Sequence, residues 1–146
     1  MASEDVFELR AKIDNLDVES HKIVQKFPKS ERHVLSADIR GTLSNIVRLE
    51  ERAAKMQLAE RRRRARPVQT LEYLQQLDAE LGLLKRQINK AQNLDFLKAQ
   101  GQTEHGRWTS MAIEVGKILG GWLKRVEAQA YPPRTMQQRP TQGMLE

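Results

Sequence analysis

The 146-residue sequence has no cysteine, which excludes disulfides, thiol nucleophiles and thiolate-built zinc sites and fits a reducing cytoplasm. Its three histidines, His21, His33 and His105, are scattered and lack the spacing of a metal-binding helix. No stretch approaches the roughly 20 apolar residues needed to cross a bilayer. The opening Met1-Ala2-Ser3-Glu4-Asp5 lacks the basic and apolar segments of a secretory signal. The expectation is a soluble, cytoplasmic chain without membrane contact. Catalytic motifs are missing as well: there is no Gly-rich phosphate loop, paired-histidine helix, serine elbow or calcium loop. Glu50 and Glu51 are adjacent, so on a helix they diverge by about 100° and cannot converge for acid–base work. Glu31 with His33, and Glu104 with His105, do not have the spacing of a di-iron bundle. The residues therefore point away from an enzyme, with no catalytic group, metal or cofactor.

Only five prolines and eight glycines interrupt the chain, and they divide it into four long periodic segments. Over about 5–26, Val6, Leu9, Ile13, Leu16, Ser20, Ile23 and Phe27 recur at spacings of three and four, the signature of one buried helix face. Pro28 stops that helix and Ser30 is a suitable N-cap for the next. Over about 31–63, Leu35, Ile39, Thr42, Ile46, Leu49, Ala53 and Met56 continue the same alternation. Pro67 suits the first position of a third helix, whose seam is Leu74, Leu77, Leu81, Leu84, Ile88 and Ala91, with Leu71 and Leu94 beside it. That helix is expected to end between 92 and 99. A fourth, over about 104–128, carries Met111, Val115, Ile118 and Trp122, widened by Leu119 and Val126. Ala112, Gly116 and Gly120 form a small-residue stripe that would let another backbone approach closely, with Trp122 as a packing residue. Short connections favour antiparallel neighbours, so the fold class is all-α, an up-down four-helix bundle over 1–128. Residues 129–146, rich in Pro and Gln, read as a flexible tail.

The charge is unevenly placed. Of the formal +6, most arises in 48–66, where eight Arg and Lys face three Glu. Arg40, Arg48, Arg52, Lys55 and Arg62 fall on one face of the second helix, opposite its apolar seam, where they could follow a polyanion. Arg61, Arg62, Arg63, Arg64 and Arg66 then form a run whose members repel one another and favour an anionic partner. Four consecutive helical positions point to all sides, so either one guanidinium meets the bundle edge or the helix frays there. Lys117 and Lys124 on the last helix could extend the surface. No aromatic platform lies beside this stripe, so phosphate contact with little base specificity is the expected mode. Glu50, Glu51 and Glu60 would temper the field.

The segment Phe27-Pro28-Lys29-Ser30-Glu31-Arg32, followed by His33-Val34-Leu35 and the Ile39 to Ile46 helix, resembles the second-helix entry of a family of small four-helix bundles. That family includes Avd, the accessory variability determinant of diversity-generating retroelements, and is related to proteins encoded in ribosomal RNA intervening sequences. Glu114-Val115-Gly116-Lys117-Ile118-Leu119-Gly120-Gly121-Trp122-Leu123-Lys124-Arg125 resembles the end of the last Avd helix, and Leu77-Asp78-Ala79-Glu80-Leu81-Gly82-Leu83-Leu84 its third-helix pattern. The resemblance implies a non-enzymatic subunit that assembles as a homopentameric barrel. It further implies binding to a reverse transcriptase and its template-repeat RNA, and contact with cDNA, in mutagenic synthesis that diversifies a gene. Arg40, Arg48, Arg52, Lys55, Arg61, Arg62, Arg63, Arg64, Arg66, Lys117 and Lys124 are then candidate RNA or polymerase contacts by charge. The extension through Asn93 to Lys98 and the four-arginine run depart from the family pattern. A helical protein–protein interaction module without nucleic-acid contact is the alternative that the residues leave open.

Overall fold

The computed structural model describes residues 2–29, 32–101 and 103–132, and every regular element among them is helical. Helix α1 spans Ala2–Gln25, α2 Arg32–Arg62, α3 Val68–Asn93 and α4 Glu104–Ala130, with a 3-10 turn at Lys98–Gln100. At 1.5 Å per residue the 31 residues of α2 extend about 46 Å. Ser30, expected as the α2 N-cap, lies outside the described residues, as do the side chain of His33 and the tail from 133 onward. Helix α4 continues past the boundary expected at 128, and Ala130 is buried.

Each helix packs on its chain neighbours, and α4 closes the ring against α1. Lys12 Nζ meets Glu114 at 2.7 Å and Arg107 meets Glu19 at 3.1 Å, so residue numbers fall along α4 as they rise along α1. The bundle is antiparallel. Its core is the set of three-four seams: Leu9, Ile13 and Leu16 from α1, Ile39, Leu43 and Ile46 from α2, Leu74, Leu77, Leu81 and Leu84 from α3. Each such side chain contributes about 1.5–3 kcal/mol on burial, before the entropy of ordering is subtracted. No helix among the described residues is long and apolar enough to cross a membrane.

Three differences from the expected pattern have local causes. On α4 the buried seam is Trp108, Ala112, Val115, Leu119, Trp122 and Val126, with Met111 and Ile118 only partly buried. Ala112 therefore belongs to the core. A Cβ on Gly116 would stand 3.4 Å from Leu81 Cδ2 and 3.5 Å from Lys85 Nζ, an ordinary side-chain contact, while Gly120 is exposed with nothing within 4 Å. Among the described residues no backbone of another helix comes within 4 Å of a Cβ built at Gly116 or Gly120, because eight residues of helix rotate the surface by about 80° between Ala112 and Gly120.

The second difference is the end of α3. Asp95 has φ 61°, its N–H donates to Gln92 O at 3.0 Å, and the Phe96 N–H donates to Ala91 O at 2.9 Å. This pair of bonds is a Schellman reversal, which satisfies orphan carbonyls and turns the chain sharply. Leu94 is left exposed, and Phe96 and Leu97 enter the core instead. Phe96 packs on Phe27 with ring centroids 5.3 Å apart, and Phe27 lies 6.3 Å from Trp108, so aromatics close the Pro28 end of the bundle. The third is Ser20, a hydroxyl on an apolar seam. It accepts the Trp108 Nε1–H at 2.8 Å, which satisfies both groups in the core.

Candidate nucleic-acid interface

The opposite end of the bundle gathers the C-terminus of α2, the N-terminus of α3 and the C-terminal part of α4. Helix α2 stops at Arg62. The Arg63 N–H reaches Ala59 O at 3.2 Å, the Arg64 N–H reaches Arg61 O at 3.0 Å, and the Ala65 N–H reaches Glu60 O at 2.9 Å. The last two bonds make a second Schellman reversal, and Arg64 at φ 54° occupies the position that glycine usually fills. A left-handed backbone costs a non-glycine residue about 1–2 kcal/mol. Beyond it, Pro67 at φ −80°, ψ 54° is the centre of an inverse γ-turn closed by the Val68 N–H and Arg66 O at 2.8 Å. The run thus resolves its crowding by leaving the helix, and Arg61, Arg62, Arg63, Arg64 and Arg66 are all exposed.

Pro67 offers no side-chain cap to α3. Glu60 supplies it from the preceding helix: one carboxylate oxygen accepts the Gln69 N–H at 3.0 Å, the other the Thr70 N–H at 3.0 Å together with the Thr70 hydroxyl. A carboxylate here satisfies orphan N–H groups and complements the positive end of the helix dipole. Glu60 is 3% exposed and Glu50 is also 3% exposed. Glu50 receives two bonds from Arg10 on α1, Nε to Oε1 at 3.0 Å and Nη2 to Oε2 at 3.1 Å. The hydrogen bonds and charge of Glu50 raise the pKa of Arg10 above its ordinary value. Two of the three carboxylates expected to temper the surface field are therefore buried and engaged elsewhere; Glu51 remains outside and pairs with Lys55 at 3.2 Å.

All eleven basic candidates are exposed, and they divide into groups. The arginine turn and Lys124 share one end of the bundle. Arg48 and Arg52 line a shallow depression against α3 with Asn45, Gln76 and Glu80. Lys55 and Arg61 border a groove of about 320 Å³ against α1, floored by Val6, Phe7, Ala54 and Leu58, in which Phe7 is 77% and Leu58 53% exposed. Arg40 lies near the other end of α2, about 33 Å from Arg62 along the helix. Among the described residues, Lys55 alone of the eleven forms an ion pair, while Arg63 Nη2 contacts Met56 Sδ at 3.9 Å. The capping role of Glu60 was not legible beforehand, because its partners stand nine and ten residues downstream. Pro67 after a charged run was the available signal.

The two histidines whose side chains are described have partners within the bundle: His21 Nδ1 lies 2.8 Å from Asp17 O, and His105 Nε2 lies 2.9 Å from Asn89 Oδ1. Among the described residues no cluster of His, Asp and Glu could hold a metal ion. Trp122 is buried in the bundle. Comparison with curated proteins and with solved structures gives no match. Residues 7–126 match the model of the family described as bAvd-like, and this four-helix chain therefore belongs to the bAvd-like family of non-catalytic accessory proteins associated with diversity-generating retroelements.

Proposed function

We propose that this protein is the accessory subunit of a retroelement reverse-transcriptase complex, and that its basic helix surfaces contact the template-repeat RNA, the cDNA and the polymerase during mutagenic synthesis. The polymerase performs the chemistry. The observation that carries this reading is a set of exposed arginines and lysines of which, among the described residues, only Lys55 is neutralised by a carboxylate. Clustered guanidinium groups repel one another, and phosphates relieve that repulsion while releasing counterions. The helical surface offers positive charge in several separate groups, so it holds the strand through its phosphates and leaves base reading to the polymerase. Assembly as a homopentamer would multiply the formal +6 fivefold and strengthen attraction at low ionic strength.

Reversal of Arg62 and Arg63 to Glu is expected to weaken association with RNA or polymerase while the helical circular-dichroism signal stays unchanged. Full cDNA synthesis by the reconstituted complex after reversal of all eleven basic positions would sink the reading. Native mass measurement at low protein concentration is expected to report about five times 16.8 kDa, and a stable monomer would refute the pentamer. The second reading, a helical protein–protein module, has one observation in its favour: the apolar floor of the α1/α2 groove. It predicts that the partner stays bound after charge reversal and is lost on Phe7→Ser with Leu58→Ser.

A further inference from the structure

We propose that the α2–α3 turn is a preorganised clamp for consecutive phosphates of one nucleic-acid strand, with Arg64 held at its apex and Glu60 locking it from the bundle side. This rests on the nucleic-acid reading above and assigns it a specific place. Three observations meet in the turn. Arg64 adopts φ 54°, where glycine would form the same reversal without strain. The strained position thus holds an exposed cation at the reversal between α2 and α3. Strain retained at one residue of a well-bonded turn is the kind of outlier from which function can be inferred.

The second observation concerns the nearest carboxylate. Glu60 stands four residues before Arg64, a spacing at which helical side chains of opposite charge pair readily. It does not pair. Both of its oxygens are taken by α3, at Gln69 and Thr70, and it is buried. The third is the density of backbone bonds through the turn: those from Arg63, Arg64, Ala65 and Val68, with Pro67 fixed inside. Together they hold five guanidinium-bearing residues on a short arc with no glycine hinge. Planar guanidinium forks bind phosphate oxygens in pairs, and an arc fixed beforehand loses less entropy when it does so.

The experiment uses the full chain, a single-stranded RNA of about 20 nucleotides and a DNA of the same sequence. Affinity is read by fluorescence anisotropy over a salt series, with a thermal melt of each variant. Arg64→Asn accepts the left-handed backbone but removes the charge. It is expected to leave Tm unchanged or slightly raised, to weaken RNA binding about three- to tenfold at low salt, and to reduce the salt slope by about 0.7. Arg40→Asn makes the same charge change at the far end of α2 and is expected to alter affinity less than twofold.

Glu60→Ala gives a test of sign. It raises the net charge by one, so charge counting alone predicts tighter binding; the clamp predicts weaker binding by threefold or more in the folded protein, with a flatter salt slope. Should Glu60→Ala fail to fold, Glu60→Gln, which keeps the acceptor for Thr70, is expected to lose affinity in the same direction. Equal effects of Arg64→Asn and Arg40→Asn, or unchanged or tighter binding by the folded Glu60 variants, would overturn the clamp while leaving general RNA binding intact. No binding by the wild-type chain or its assembly would remove both. Similar affinity for RNA and DNA supports recognition of the phosphate strand; a loss of tenfold or more on DNA overturns it.

Discussion

Removing Arg10 is the sharpest test of how α1 is held against α2. Among the described residues Arg10 and Glu50 form the ion pair between these two helices, through two bonds of 3.0 and 3.1 Å. Arg10→Met keeps most of the aliphatic stem but leaves the Glu50 carboxylate, 3% exposed, without its counter-charge. Stranding one member of a fully buried pair costs about 3–5 kcal/mol. The Arg10 side chain is itself 48% exposed, so water enters where the guanidinium was, and about half of that cost remains. The expected destabilisation is about 1.5–3 kcal/mol.

Arg10→Met with Glu50→Leu removes both charges and is expected to lie within about 1 kcal/mol of wild type, since a paired apolar replacement restores packing without desolvated charge. A double-mutant cycle by urea unfolding, followed by circular dichroism at fixed protein concentration, measures the coupling. A coupling below about 0.5 kcal/mol, or an Arg10→Met variant as stable as wild type, would show that Glu50 is solvated by another route and refute the reasoning.

Glu19 takes a hydrogen bond from Lys22 and another from Arg107, and these hold its pKa below the usual carboxylate range. A lowered folded pKa adds stability that is complete above the unfolded value of 4.5 and is lost as pH falls through the folded value, so Glu19→Gln is expected to flatten the acid side of the pH–stability curve. An unchanged acid limb would refute this. Ser20→Ala leaves the buried Trp108 Nε1–H without an acceptor and is expected to cost about 1–3 kcal/mol by chemical unfolding; a neutral result would mean that water replaces the hydroxyl. Gly120→Ala, in open space on α4, is expected to gain up to about 1 kcal/mol, whereas Gly116→Leu overpacks against Leu81 and costs about 1–3 kcal/mol. Equal melting temperatures for the two variants would contradict the placement of these glycines.

The helical class and the four elements were legible in the sequence because spacings of three and four, broken at Pro28, Pro67 and Gly101, map directly onto buried faces such as Leu9, Ile13 and Leu16 or Leu74, Leu77 and Leu81. The family was legible as well, from the Glu114 to Arg125 segment and the Phe27 to Leu35 entry. Periodicity reports a helix's own face and nothing about what a neighbouring helix brings to it. For that reason Met111 and Ile118, expected on the α4 seam, are only partly buried, Gly120 stands in open space within the chain, and Phe96 was not recognised as core: a left-handed residue at Asp95 redirects the chain after the periodic pattern has ended. The same limit applies to charge. Sequence placed Glu50 and Glu60 among the arginines as moderators of their field, since charges near in sequence are near in space. Tertiary packing decided otherwise, because α1 brings Arg10 to Glu50 and α3 brings two unsatisfied N–H groups to Glu60. Each carboxylate is drawn inward by a donor tens of residues, or one turn, away, and the arginines are left facing water.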